Sequence, residues 1–169
     1  MKQLFLVRHA KSSWKDASLD DHDRPLGKRG KRDAPFMAKI LLDKKIKVDQ
    51  IVSSTALRAL STAKEFAKKL DIKKGKIVTV AELYGAELNK LLDYIKSTDD
   101  SYNSLMLFGH NPEITALTNY LTEANIDNIP TCGIAAVDFE ITHWSGIGAA
   151  EGKLRFFEYP KLHLKDSPE

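Results

Sequence analysis

The sequence predicts a three-layer α/β/α sandwich around a mostly parallel sheet. Three observations carry this. Short β-favouring apolar runs alternate with segments of helical period. The fourth such run, SLMLF at 104–108, is almost wholly apolar, as a central strand covered on both faces must be. The order reads β-α-β-α-β-α-β-α-β-β, with no internal repeat, low-complexity tract or linker.

Taken in order, KQLFLVR at 2–8 reads as a buried first strand that runs straight into a polar loop. That loop, 10–27, is long for an α/β domain, and loops of such length are commonly functional. A helix is expected over 28–43 with Phe36, Met37, Ile40 and Leu41 as its apolar stripe; Pro35 predicts a kink or a late start. A second strand follows at 49–53, then a helix over 55–70 with Leu57, Leu60, Ala63, Ala67 and Leu70 inward and Ser54 as N-cap. A third strand is expected at 76–80 and a helix over 86–96 with Leu88, Leu91, Leu92 and Ile95 inward. After the fourth strand, Asn111 and Pro112 supply an N-cap and a first-turn proline for a helix ending near Leu121. Residues 133–142 and 153–159 alternate as a hairpin pair joined through Gly146, Gly148 and Gly152. One domain is expected over 1–160, with a loosely ordered tail over 161–169.

Composition narrows the function. A length of 169 residues suits one α/β core. The net charge of +3 is too mild for a nucleic-acid-binding signature, and no apolar run approaches the length of a membrane span. The apolar start stops at Arg8, too soon for a signal-peptide core, and Cys132 is the single cysteine, so no internal disulfide is available. A cytoplasmic enzyme is expected. Lysine and arginine cluster at 28–32, 44–47 and 68–76, which reads first as solvated surface and second as a field for an anionic substrate or acidic partner.

In parallel α/β sheets, ligands bind beyond the carboxyl ends of the strands. Here the first strand ends in Arg8-His9, the second leads within a turn to Arg58, and the fourth ends in Gly109-His110. Two arginines and two histidines are thereby delivered to one sheet edge. Guanidinium forks match phosphoryl oxygens, and two of them plus an imidazolium would neutralise the dianion and the charge added in the transition state. The other histidine can attack phosphorus as neutral imidazole, forming a covalent phosphohistidine that water then hydrolyses.

These residues also carry a resemblance. Leu6-Val7-Arg8-His9-Ala10 resembles the Arg-His-Gly signature of the histidine phosphatase superfamily, the phosphoglycerate-mutase-like enzymes. Residues 53–63, SSTALRALSTA, resemble its second-arginine motif, Gly109-His110-Asn111-Pro112 its second-histidine motif, and Arg24-Pro25-Leu26 with Gly30 a family turn. The short chain and the Arg-His-Ala-Lys start are most similar to the SixA-type phosphohistidine phosphatase branch, and the similarity runs from 2 to 142. The resemblance implies His9 as nucleophile, Arg8, Arg58 and His110 as the phosphate pocket, and no cofactor. Ala10 departs from the usual glycine and requires an ordinary φ. Many relatives place a general acid after the third strand; Glu82 is the candidate here, with a cap or surface charge as its other reading.

Other features read as structural. Asp20-Asp21-His22-Asp23 is taken as an acidic loop segment, since no further ligand set at useful spacing supports a metal. Cys132 lacks the arginine six positions on that a cysteine phosphatase needs and reads as a small buried residue, and His143 and His163 read as structural or exposed. Trp14 is expected either at the mouth of the site or buried on the sheet edge. The leading expectation is a phosphohistidine phosphatase acting on a phosphorylated protein. A phosphomonoesterase for a small metabolite is the second, and a non-catalytic phosphohistidine-binding module the third.

Overall fold

The computed structural model describes residues 1–164. Its single sheet has six strands: β1 (Lys2–Arg8), β2 (Gln50–Ser54), β3 (Ile77–Val80), β4 (Ser104–Gly109), β5 (Ile134–Phe139) and β6 (Lys153–Glu158), in the order β3-β2-β4-β1-β5-β6. The first four are mutually parallel, β5 runs antiparallel to β1, and β6 returns antiparallel to β5. The helices are α1 (Lys28–Asp43), α2 (Leu57–Lys69), α3 (Leu88–Lys96), α4 (Glu113–Leu121) and the short α5 (Pro160–His163).

The layering follows from the period-two alternation of the central strands. Leu4 and Leu6 of β1, with Leu105 and Leu107 of β4, enter one apolar cluster together with Leu91, Leu92 and Ile95 of α3 and Ile114, Leu117 and Leu121 of α4. Phe5, Val7, Met106 and Phe108 enter the opposite cluster, with Met37 and Leu41 of α1 and Ala63 and Phe66 of α2. Both faces of β1 and β4 are therefore dry, which is why these strands are apolar at every interior position. The edge strand β3 carries half-exposed Ile77 and Val80 and exposed Val78 and Thr79.

Several local expectations need correction. The α1 helix begins at Lys28 and runs through Pro35, so the proline delays nothing. The α2 helix starts at Leu57, two residues later than expected, and its buried face is Arg58, Ala59, Thr62, Ala63, Phe66 and Ala67. Leu57 is exposed, because the first turn is rotated to send Arg58 inward. Ala56 rather than Ser54 holds the N-cap position, and no side chain caps α2. The α3 helix begins at Leu88 rather than Ala86, and Pro112 stands at the N-cap of α4 rather than inside it. The hairpin strands are shorter than expected, at 134–139 and 153–158. Residues 161–163 of the expected loose tail join Pro160 in α5, where His163 pairs with Glu158; residues 165–169 lie outside the described residues.

The 10–27 loop closes on itself. Ser12 bridges Leu26, Ser13 N–H donates to the Pro25 carbonyl and Gly27 N–H to the Lys11 carbonyl, so the excursion leaves and re-enters through one neck. Gly30 packs on that neck, where a Cβ would drive into the Lys11 backbone carbonyl; glycine is required there by close approach.

Candidate active site

The carboxyl ends of β1 and β4 are side by side, with Arg8 opposite Gly109 and His9 N–H bonded to the Gly109 carbonyl at 3.1 Å. This pairing brings His9 and His110 together, their ring centroids 5.2 Å apart. Arg58 arrives from the first turn of α2. Thr62 ties the segment after β1 to α2: its hydroxyl accepts the Ala10 N–H at 3.0 Å and donates to the Arg58 carbonyl at 2.7 Å. On the other side the Cys132 N–H reaches the carbonyls of both Arg8 and His9 at 3.0 Å. Ala10 is not among the residues with positive φ, so the methyl in place of a glycine hydrogen is accommodated.

The His9 tautomer follows from its neighbour. Nδ1 lies 2.7 Å from the Ala10 carbonyl oxygen, which can only accept, so Nδ1 carries the hydrogen and Nε2 keeps a free lone pair. Burial lowers the His9 pKa to about 3, against the Ala10 bond that raises it and with help from the charges of His110, Arg58 and Arg8. The ring is neutral at ordinary pH. His110 is lowered to about 4, first by burial and then by Arg58. Its Nε2 is 2.7 Å from Ser54 Oγ, which also accepts the Ala56 N–H at 3.2 Å. Where the Ser54 hydroxyl donates to Nε2, the ring hydrogen of His110 sits on Nδ1.

Three nitrogens around His9 are buried and without a hydrogen-bond partner: Nε of Arg8, Nε of Arg58 and Nδ1 of His110. An orphaned buried donor costs about 1–3 kcal/mol, so three in one place mark where a ligand belongs. Arg8 is anchored by Nη1 on the Ile129 carbonyl at 2.9 Å. Burial and the nearby Arg29 lower its pKa, which sharpens the need for an anion. The cleft over these groups, about 180 Å³, is lined by Arg8, His9, Lys11, Ser12, Trp14, Arg24, Arg58, His110, Asn111 and Thr131. Its lining holds no carboxylate. Wider grooves occur elsewhere, including one of about 550 Å³, but that one holds none of the four sequence-identified Arg and His residues. Glu82 is exposed and lines that second groove with Tyr84, whose ring lies edge-on to His110 at 5.6 Å between centroids; Glu82 itself does not line the His9 cleft. Among the described residues no group of three or more His, Cys, Asp or Glu is placed to hold a metal ion, and no helix is long and apolar enough to cross a membrane.

The chain as a whole has counterparts among known proteins. The sequence matches the model of the histidine phosphatase superfamily (branch 1) over residues 4–91. The chain belongs to the histidine phosphatase superfamily. An uncharacterised chloroplastic protein of Arabidopsis thaliana is 31% identical over 159 residues, covering 89% of this chain and 72% of the plant protein. The structure of the protein assigned as phosphohistidine phosphatase SixA in Agrobacterium tumefaciens superposes with a TM-score of 0.81 at 28% identity, covering 94% of this chain and 98% of the other. A mycobacterial glucosyl-3-phosphoglycerate phosphatase shares the fold, with a TM-score of 0.68 at 14% identity over 92% of this chain and 98% of that one. The fold is thus phosphoglycerate-mutase-like and the chain a histidine-nucleophile phosphatase.

Within this phosphatase, sequence reasoning missed Asp21. In the sequence it reads as part of an acidic loop segment, yet its carboxylate bonds Arg58 Nη2 and Arg24 Nη2, each at 3.0 Å, and takes the Tyr84 hydroxyl at 2.6 Å. That Tyr84 bond, followed by Arg24 and Arg58, holds the Asp21 carboxyl far below the usual carboxylate range. The only local signal was an acid three residues before Arg24; the contact with Arg58, 37 positions away, has none. Trp14 takes the mouth position of the two expected for it: it is 69% exposed and lines the cleft. Cys132 is buried as expected, and His143 is exposed and bonded to Asp100.

Proposed function

We propose that this enzyme removes phosphate from phosphohistidine on a protein, with His9 as the nucleophile and Arg8, Arg58 and His110 holding the phosphoryl oxygens. One observation carries the reading. A neutral imidazole with a free Nε2 shares one cleft with Arg8, Arg58 and His110, each of which holds a buried nitrogen without a partner, and the cleft lining offers no carboxylic acid.

The chemistry balances without such an acid when the leaving group is imidazole. The His9 Nε2 lone pair forms a bond to phosphorus while the P–N bond of the substrate breaks, its electron pair returning to the leaving nitrogen. A substrate ring protonated on its distal nitrogen leaves as neutral imidazole, so the step exchanges one N–P bond for another of the same kind. An ester would instead release an alkoxide and need a proton. Water then forms a bond to phosphorus, the P–Nε2 bond breaks, and both water hydrogens leave on the phosphate. The orphaned nitrogens of Arg8, Arg58 and His110 stabilise the charge spread over the equatorial oxygens in both steps. Asp21, held ionised, is no proton donor.

A small phosphate ester is the second reading, favoured by Lys11 and Arg24 in the cleft, cations that a metabolite carboxylate would pair with. A binding module would have no use for a neutral, correctly tautomerised His9. The cytoplasm, as the sequence suggests, is the compartment of this reading, although one relative is chloroplastic. The test is to offer the purified protein a histidine-phosphorylated domain beside a panel of phosphate monoesters. Faster kcat/KM on the phosphohistidine substrate is expected; faster turnover of any monoester overturns the assignment. Loss of turnover in His9→Ala, with affinity for inorganic phosphate retained, separates a catalyst from a binder.

A further inference from the structure

Trp14 exposes 69% of its surface, more than any other large apolar residue among the described residues. An indole left in water forgoes a large burial gain. Its position is also fixed. The Arg24 guanidinium lies over the indole with its carbon 3.5 Å from the ring centroid. Arg24 is itself 6% exposed and pinned, by Nη1 on Ser12 Oγ at 2.6 Å and by Nε and Nη2 on Asp21 Oδ1 at 3.2 and 3.0 Å. Trp14 follows directly on the closed neck of the loop, where Ser13 N–H holds the Pro25 carbonyl at 2.8 Å. Both Trp14 and Arg24 line the cleft that contains His9. A flat ring with one face backed and the rest open, standing at the mouth of a phosphate pocket, is built to receive another flat group.

We propose that Trp14, backed by Arg24, is the platform on which the leaving imidazole of the substrate stacks, making it the residue that selects a ring-bearing phosphoryl donor. The proposal rests on the phosphohistidine reading above. With phosphate seated on the orphaned nitrogens, the bonded imidazole must project toward the mouth, where the open part of the indole stands. Stacking there orients the P–N bond for attack by His9 and covers the ring from water. Preorganisation matters here: Arg24 fixes the indole before the substrate arrives, so little side-chain freedom remains to be lost.

The test uses wild type, Trp14→Ala and Trp14→Phe with free phosphohistidine and with phosphoramidate, which has the same P–N bond and no ring. Trp14→Ala is expected to lose about tenfold in kcat/KM on phosphohistidine relative to phosphoramidate, mainly through KM, in line with an aromatic stacking contact. Trp14→Phe should restore most of that selectivity. Equal losses on the two compounds, no loss on either, or a Phe variant no better than Ala overturns the platform while leaving the phosphohistidine reading in place. If wild type hydrolyses monoesters faster than both P–N compounds, the phosphohistidine reading fails, and the platform with it. Because Trp14 is exposed, all three proteins should show the same far-UV circular dichroism.

Discussion

The Asp21 carboxylate lies 3.0 Å from Nη2 of Arg58, and the Asp21 backbone carbonyl takes Nη1 at 2.7 Å. Both terminal nitrogens of this arginine thus give one hydrogen to the same residue, and its buried Nε has no partner. We infer that Asp21 fixes the orientation of Arg58 in the cleft, where the proposed function has it hold phosphate. Asp21→Asn keeps the carbonyl contact but loses the charge, and is expected to lower kcat/KM by about tenfold, the usual order for loosening one charge-assisted pair. The loss should appear in the inhibition constant of inorganic phosphate as well as in KM for substrate. An unchanged phosphate inhibition constant would show that Arg58 needs no such support. Asp21→Ala in turn should also release Tyr84, whose pKa, raised mainly by its bond to Asp21, should fall back toward the ordinary phenol value.

The two histidines set the pH dependence. Their folded pKa values, about 3 for His9 and about 4 for His110, lie below the unfolded value of about 6.5. Between these limits the unfolded chain binds more protons than the folded one, so stability rises with pH across that window and falls as the medium is acidified below about 6.5. Thermal melts should therefore drop from pH 7 to pH 5, and less steeply in His9→Asn, which has no ring to protonate. Inorganic phosphate should shrink the same drop in wild type, because a bound anion favours the protonated histidines. A melt insensitive to pH over this range, or an His9→Asn slope equal to wild type, would contradict these shifts.

Much of this was legible in the chain and some was not. Strands β1 and β4 are apolar on both faces, which alone places them at the centre of a covered sheet and their ends side by side. Arg8, His9 and His110 follow directly from that placement. Arg58 follows from the end of β2 and from its motif, although apolar periodicity misplaces the inward face of α2: it favours Leu57, whereas Arg58 and Thr62 are buried. Ser54 looked like a cap because its type and position suit one, but His110, brought within 2.7 Å by the parallel pairing of β2 and β4, competes for the hydroxyl. Asp21 escaped because its partners Arg58 and Tyr84 are joined to it only by the folded-back loop.

Glu82 tests the idea that no side-chain acid is required. It is exposed in a groove separate from the His9 cleft, beside Tyr84, rather than within it. Glu82→Gln is expected to change kcat/KM on phosphohistidine by less than about twofold, whereas removing a general acid costs about a hundredfold or more. A hundredfold loss on phosphate monoesters with none on phosphohistidine would show instead that Glu82 serves esters alone, through a movement of the segment after β3.

Thr62 joins the segment that follows His9 to Arg58, and its removal should separate structure from chemistry. The side chain is fully buried, accepting from Ala10 N–H and donating to the Arg58 carbonyl. Thr62→Val keeps the volume but leaves the buried Ala10 N–H without a partner, at a cost of about 1–3 kcal/mol in stability. Thr62→Ser keeps the hydroxyl and should lose about 1 kcal/mol, the worth of a buried methyl group. Activity should divide the two more sharply than stability does. In the Val variant the His9 loop is no longer fixed to α2, so misplacement of His9 against Arg58 should lower kcat with little change in KM, and urea titration should place its stability loss above that of Ser. Equal kcat values for Val and Ser at matched fraction folded would mean that the Cys132 N–H, bonded to the carbonyls of Arg8 and His9, fixes the loop alone.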